Sequence, residues 1–355
     1  LVASCQIKAG TVITEAMVEI RSPGQGLQPN RLPELIGRQL PVNKSKGEVF
    51  FPSDLITPAA TPRHYQFAQR FGLPVRYHDI STFAKSSNLD LVEIHLSYKD
   101  LEIDLNQVLP KPQPIGLVIH APELFSGDHT LDLCTNDDDY RNQSIRELQR
   151  VVDIAKDLRH RFICPEPVLL VTNVGGFSQH RHLDSWEIEP LRERLIKSLK
   201  SISTGNEVEI IPQTMPPFPW HFGGQRYHNL FVDPEFIHSF CQQTSMRVCL
   251  DVSHSKLACN HMNTSFSEFL SLILPHTAHL HLADAKGVDG EGLQIQDGEI
   301  DWSLLFKLMA EHCPEASFIP EIWQGHKNRG EGAWLALERL ERCLKKSDKN
   351  IIFAA

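Results

Sequence analysis

From about residue 65 onward, short apolar runs alternate with stretches of helical periodicity. Eight runs read as strands, centred near residues 75–77, 91–95, 116–120, 168–172, 208–211, 248–251, 279–282 and 318–321. Between them, apolar residues recur at helical spacing over 146–158, 191–201, 234–243, 266–274, 302–313 and 333–345. Strand–helix alternation implies right-handed βαβ units and a parallel sheet. Eight such units, with no G-x-G-x-x-G turn, predict an α/β chain whose main body, residues 65–346, is a closed (β/α)8 barrel.

The first 57 residues have another rhythm. Ala9-Gly10 and the stretch from Ser22 to Gly26 are turn signals between short β-rich pieces at 11–13, 18–20 and 49–51. Residues 32–37, with Pro33 near the start and Gly37 at the end, fit one short helix. Residues 58–64 read as a linker and 347–355 as a C-terminal tail, so a small β-rich module precedes the barrel.

Composition narrows the classes of function. Apolar content of 41% with 22% charged residues is ordinary for a globular chain, and no apolar run reaches the length of a membrane span. A net charge of −9 argues against nucleic acid as a partner, because phosphate binding needs a basic surface. The eight cysteines are scattered without a CxxC pair, as expected of reduced, buried thiols in the cytoplasm. The start at Leu1-Val2-Ala3 has neither an initiator Met nor the features of a signal peptide. It reads as a cut inside a longer polypeptide.

Four of the predicted strands end on side chains that bind metals: Gln213, Asp251, His281 and Glu321. Hard oxygen donors and an imidazole at neighbouring strand ends are how a divalent-metal site is assembled at the mouth of a parallel barrel. Each residue also has a plainer reading. Asp251 fits a helix N-cap, and His281 fits a hydrogen-bonded core histidine. Glu321 follows Pro320 at the end of an apolar run, where an unpaired acid is costly. Glu93 and His95 share one face of the second strand, either as a buried structural pair or as part of the site.

Two resemblances add to this. The stretches "LVASCQIKAGTVITEAMVEIRSPGQGL" and "ELIGRQL" resemble the SAF, or antifreeze-like, domain of sialic acid synthases. That likeness implies a role near an active site and a possible homodimer, with Arg21 as a candidate substrate contact; an arginine on a solvated strand is the alternative. The pieces "IHAPEL", "IIPQTMP", "LDVSH", "HLHLADAKG" and "FIPEIWQGH" resemble the xylose-isomerase-like barrels, which include sugar isomerases, epimerases and endonuclease IV-type proteins.

The second likeness implies one divalent ion (Mn, Mg, Co or Zn) held by Gln213, Asp251, His281 and Glu321, with a sugar or sugar phosphate as substrate. It implies an acid/base role for Glu321 and makes His254 a catalytic or substrate-orienting residue. His120, Glu93, His95 and Arg329 become substrate contacts, and the glycine-rich segment 287–292 a flap. The family places Glu where this chain has Gln213. Glutamine offers a metal its carbonyl oxygen but cannot carry a proton, so a two-carboxylate epimerase is in doubt.

The sequence therefore supports a metal-dependent sugar isomerase or epimerase serving sialic-type (nonulosonic) acid or surface-polysaccharide biosynthesis. The rival is a non-catalytic sugar-binding barrel, or the C-terminal part of a synthase whose catalytic barrel lies upstream. No nucleic acid and no membrane is expected as a partner.

Overall fold

The computed structural model describes residues 1–22, 24–55, 60–164, 167–221 and 224–354, with the side chains of Trp220, His221 and 346–354 left aside. Part of the expected linker, residues 58 and 59, lies outside the described residues. Eight parallel strands form the barrel: β1 Gly72–Val75, β2 Leu91–His95, β3 Gly116–His120, β4 Val168–Thr172, β5 Val208–Pro212, β6 Val248–Asp251, β7 Thr277–Leu282 and β8 Ser317–Pro320. β1 to β5 pair in sequence as one sheet and β6 to β8 as another. Parallel bridges Gln213↔Cys249 and Phe71↔Phe318 join the two sheets and close the ring. One seam of the barrel is therefore made at the backbone of Gln213 itself.

β1 lies a few residues earlier than its apolar run, at Gly72 to Val75. Gly72 is required there, since a Cβ would fall 2.2 Å from the Leu91 carbonyl oxygen. Around the ring run α1 Ile80–Ser86, α2 Leu105–Val108, α3 Asp138–Arg159, α4 Ser185–Ser201, α5 Pro234–Thr244, α6 Val252–Met262, α7 Phe266–Ile273, α8 Trp302–His312 and α9 Lys327–Ala354. α9 therefore covers most of the expected tail. Asn328, Arg329 and Gly330 kink it with left-handed backbone angles.

Outward strand residues such as Val92 and Ile94 of β2 belong to one core with helix residues such as Leu148, Val151 and Val152 of α3. Inward residues Leu91, Val118, Val171, Ile211, Cys249, Ala278 and Ile319 form a separate apolar plug inside the barrel. The period of two along each strand then carries polar residues upward from that plug to the mouth.

The N-terminal module has its own small core of Leu1, Ala3, Ile7, Ile13, Leu27, Leu35, Leu40 and Phe50. Val2–Ala3 pairs antiparallel with Val18–Glu19, and Leu32–Leu35 forms the expected short helix. Beneath it, Lys44 and Asp54 make an ion pair of 3.0 Å with both side chains buried. The module docks in cis on the loop after β8. Gln324 accepts from the Gly26 amide at 3.0 Å and donates to the Gly24 carbonyl at 2.8 Å, while Ser53 donates to Glu331 at 2.7 Å. Cys134, Cys241, Cys249, Cys259 and Cys313 are buried free thiols. Among the described residues no helix is long and apolar enough to cross a membrane.

Candidate active site at the barrel mouth

Asp251 ends β6 and is also the N-cap of α6, as the plainer reading expected. Its Oδ1 accepts the His254 amide at 2.8 Å, while Oδ2 faces the barrel axis. His281, fully buried on β7, centres the group. Its Nδ1 lies 2.7 Å from Glu321 Oε2 and 3.8 Å from Asp251 Oδ2. Ligand atoms of Asp251, His281 and Glu321 all fall within 4.8 Å of one another. Glu321, one residue beyond β8, keeps 31% of its side chain exposed and is the open side of the cluster.

The charges on these groups are mutually held. Burial opposes a charge on His281, but the carboxylates of Glu93 and Glu321 outweigh it and raise its pKa well above the ordinary range. Burial likewise opposes ionisation of Glu321, and His281 reverses it, holding the carboxyl well below its usual value. Without a metal, an imidazolium therefore sits between acids. A metal ion at Nδ1 would replace that proton.

Gln213 completes the group. Its Nε2 lies 3.2 Å from Asp251 Oδ2 and 3.2 Å from His281 Nδ1, and its Oε1 lies 3.1 Å from His120 Nε2. The tautomer of His120 decides which way the amide points. His120 Nδ1 donates to the Ala121 carbonyl at 2.8 Å, and burial and the neighbouring His95 lower its pKa. Its Nε2 is then a bare acceptor that needs an N–H donor. As placed, the amide NH2 donates to Asp251 Oδ2; turned, it would give its NH2 to His120 and its carbonyl to an ion shared with Asp251 and His281. A carbonyl, two carboxylates and an imidazole nitrogen then face one point. That donor set suits a divalent cation.

Below this group lies a second. Glu93, with 0% exposure, has an oxygen 2.8 Å from His279 Nε2, 2.9 Å from His95 Nε2 and 3.1 Å from His281 Nε2. His279 Nδ1 meets Ser317 Oγ at 2.7 Å. Burial opposes the charge on Glu93, but these histidines hold its pKa well below the usual carboxylate range. Glu93 was expected to touch substrate. It is instead sealed beneath His281, where it orients the ring by bonding the far nitrogen.

His95 reaches the mouth more directly, 26% exposed, stacked on His120 at 4.8 Å and with Nδ1 3.8 Å from Glu321. His254 has both ring nitrogens engaged, with the Thr214 carbonyl at 2.9 Å and Glu291 at 3.1 Å. Burial opposes its charge, but Asp251 and Glu291 push its pKa up to about 10. It therefore does not present a free nitrogen to substrate. It pins the hairpin of Asp284–Lys286 and Gly290–Leu293, the expected flap, over the mouth.

Two predicted substrate contacts are not brought to the cluster. Arg21 is exposed and paired with Glu19 at 2.8 Å on its own module. Arg329 is exposed at the kink of α9, with a left-handed φ of 62°. Asp284 is structural, accepting from the amides of Ala285, Gln296 and Ile300 and from the Trp302 indole. Sequence reasoning passed over His279 and Glu291. His279 is two residues before His281 on one strand, so the same period-two argument could have found it.

A profile of the xylose isomerase-like TIM barrel family matches residues 82–343, and a SAF domain profile matches residues 1–56. The chain belongs to the xylose isomerase-like TIM barrel family, with an N-terminal SAF domain. Its fold is similar to that of a D-tagatose 3-epimerase-like protein (18% identity, TM-score 0.57, 79% of this chain and 99% of that one). It is also similar to L-ribulose 3-epimerase (11%, TM-score 0.54, 81% and 98%) and to 3-keto-D-glucoside 4-epimerase from E. coli (11%, TM-score 0.53, 78% and 100%). At these identities the likeness shows the fold. No curated protein matches the chain.

Proposed function

We propose that the barrel is a metal-dependent isomerase of a sugar or sugar phosphate, with Asp251, His281, Glu321 and the Gln213 carbonyl as ligands. The observation that carries this reading is the convergence of three ligand side chains within 4.8 Å at the open end of the barrel. A divalent ion there would polarise a carbonyl or hydroxyl of the bound sugar, acidifying the adjacent C–H. Glu321, with one oxygen toward His281 and the other on the open side near His95, is the base that removes and returns the proton. His120 and His95 line the approach and orient hydroxyls.

Gln213 refines the reaction class. Epimerisation takes a proton from one face of a carbon and returns it on the other, which calls for acid/base groups on both faces. With a neutral amide at 213, Glu321 is the one mouth carboxylate free for proton transfer. A single base that returns the proton on the face it came from suits aldose–ketose isomerisation better than epimerisation. The SAF domain supports a sugar of sialic-type (nonulosonic) acid or surface-polysaccharide metabolism.

The test is exchange in D2O. Protein loaded with Mn2+ or Co2+, incubated with a panel of aldoses, ketoses and their phosphates, should place deuterium on the carbon beside the carbonyl. Glu321→Gln should abolish that exchange. Metal binding at the mouth with no exchange on any sugar would overturn the enzyme reading and favour a sugar-binding barrel.

A further inference from the structure

The group beneath His281 is built differently from a hydrogen-bonded core pair. One buried carboxylate, Glu93, faces imidazole nitrogens from His95, His279 and His281, at 2.9, 2.8 and 3.1 Å. Glu93, His279 and His281 are each at 0% exposure. Among the described residues, Glu93 Oε1, His95 Nε2 and His279 Nε2 are buried atoms with no hydrogen-bond partner of acceptable geometry. His95 Nε2 lies 2.9 Å from Glu93 Oε1 and His279 Nε2 2.8 Å from Glu93 Oε2, both without the angles that a shared proton requires. His281 Nε2, by contrast, does hydrogen-bond Glu93 Oε2 at 3.1 Å.

That combination is what a coordination shell looks like. Ligands about 2.1 Å from an octahedral ion lie about 3.0 Å apart at neighbouring vertices, which is the range of separations around Glu93. Ligand atoms in a shell point at the ion and not at each other, which accounts for the poor angles. In metal-free protein the charged His281 ring balances the Glu93 carboxylate; a cation among the same partners would take over that role.

We propose that the barrel binds a second divalent ion below the mouth, held by Glu93, His279 and His281 Nε2, with His95 Nε2 as a further ligand. Three imidazoles and one carboxylate select a transition ion such as Zn2+, Co2+, Mn2+ or Fe2+ over Mg2+ or Ca2+. This site uses atoms separate from those of the mouth; the two share the His281 ring, and His95 reaches both, with Nε2 toward Glu93 and Nδ1 toward Glu321. With both ions bound, His281 bridges them as an imidazolate, Nδ1 upward and Nε2 downward, having released both ring protons to solvent. The inner ion would sit behind Glu93, His279 and His281, all at 0% exposure, with His95 alone reaching toward the mouth. It sets the orientation and donor strength of the bridging ring.

Counting metal tests this. Full-length protein loaded with Zn2+ or Co2+ and freed of excess should carry two ions per chain by elemental analysis, against one in His279→Gln and one in Asp251→Asn. A chelator should strip wild-type protein in two phases, the fast one from the mouth and the slow one from the enclosed site. That measurement needs no variant and so covers the case in which His279→Gln fails to fold. A single ion, lost in Asp251→Asn but kept in His279→Gln and removed in one phase, overturns the inner site and leaves the mouth reading intact. A single ion lost only in His279→Gln overturns the mouth reading and supports the inner site.

Discussion

His281 divides the barrel axis into two polar environments that share one ring. Above it, Asp251, Glu321 and the Gln213 amide meet the mouth, and Glu321 keeps 31% of its side chain open to solvent. Below it, Glu93 and His279 have no exposure at all. The upper face can exchange protons, ions and substrate with the surroundings. The lower face cannot, so it must be satisfied by its own partners or by a permanently enclosed ion. Chemistry that turns over belongs above the ring, and the support that holds the ring in place belongs below it.

Four variants probe that division, and the first has the largest expected effect. Glu93→Ala removes the carboxylate that faces three buried imidazoles and should cost about 3–5 kcal/mol in urea unfolding of metal-free protein, the scale of a broken buried ion pair. Glu321→Ala, on the open side, should cost no more than about 1 kcal/mol in the same assay. Equal costs would erase the distinction between the two faces.

Gln213→Glu restores a carboxylate to the upper face. It should tighten Mn2+ binding at the mouth about tenfold or more by titration calorimetry, or about 1.4 kcal/mol. It should also lower the stability of metal-free protein, because a third acid joins Asp251 and Glu321. Unchanged affinity would place residue 213 outside the ligand set.

The smallest effect concerns His254, whose folded pKa of about 10 lies above the unfolded value of about 6.5. A raised pKa contributes stability that is fully present below the unfolded value and is lost as pH climbs through the folded one. His254→Gln should therefore cost about 1 kcal/mol at pH 6, the modest scale fitting a partner, Glu291, that is half exposed. The penalty should shrink between pH 7 and 10. A penalty independent of pH would mean that the His254–Glu291 clasp is not ionic.

Much of this architecture was legible beforehand. β2 to β8 fall on their apolar runs, because β-branched and leucine-rich stretches buried on both faces carry a strong signal. The first eight residues of α3, 138–145, were not legible, since they form a polar stretch whose helical start is set by the Asp137 cap. α6 was missed for a related reason. Its sequence, VSHSKLACNHM, buries Ser253, His254 and Ser255 in place of an apolar stripe. The four mouth residues were legible because strand ends mark barrel depth. The roles of Glu93 and His254 were not, because a side chain's face is local whereas its depth and partners depend on strands up to 188 positions away.

The sequence alone determined the order of elements, the closed barrel with its N-terminal module, and which strand ends carry side chains of a kind able to hold a metal. These follow from the periods of two and 3.6, which are local. Only the tertiary structure decided that Gln213 lies between His120 and Asp251, that Arg21 and Arg329 stand away from the cluster, and that Glu93 lies under His281. Those outcomes depend on barrel closure, which brings β2 and β7 onto one axis. No local pattern records the depth at which two distant strands meet.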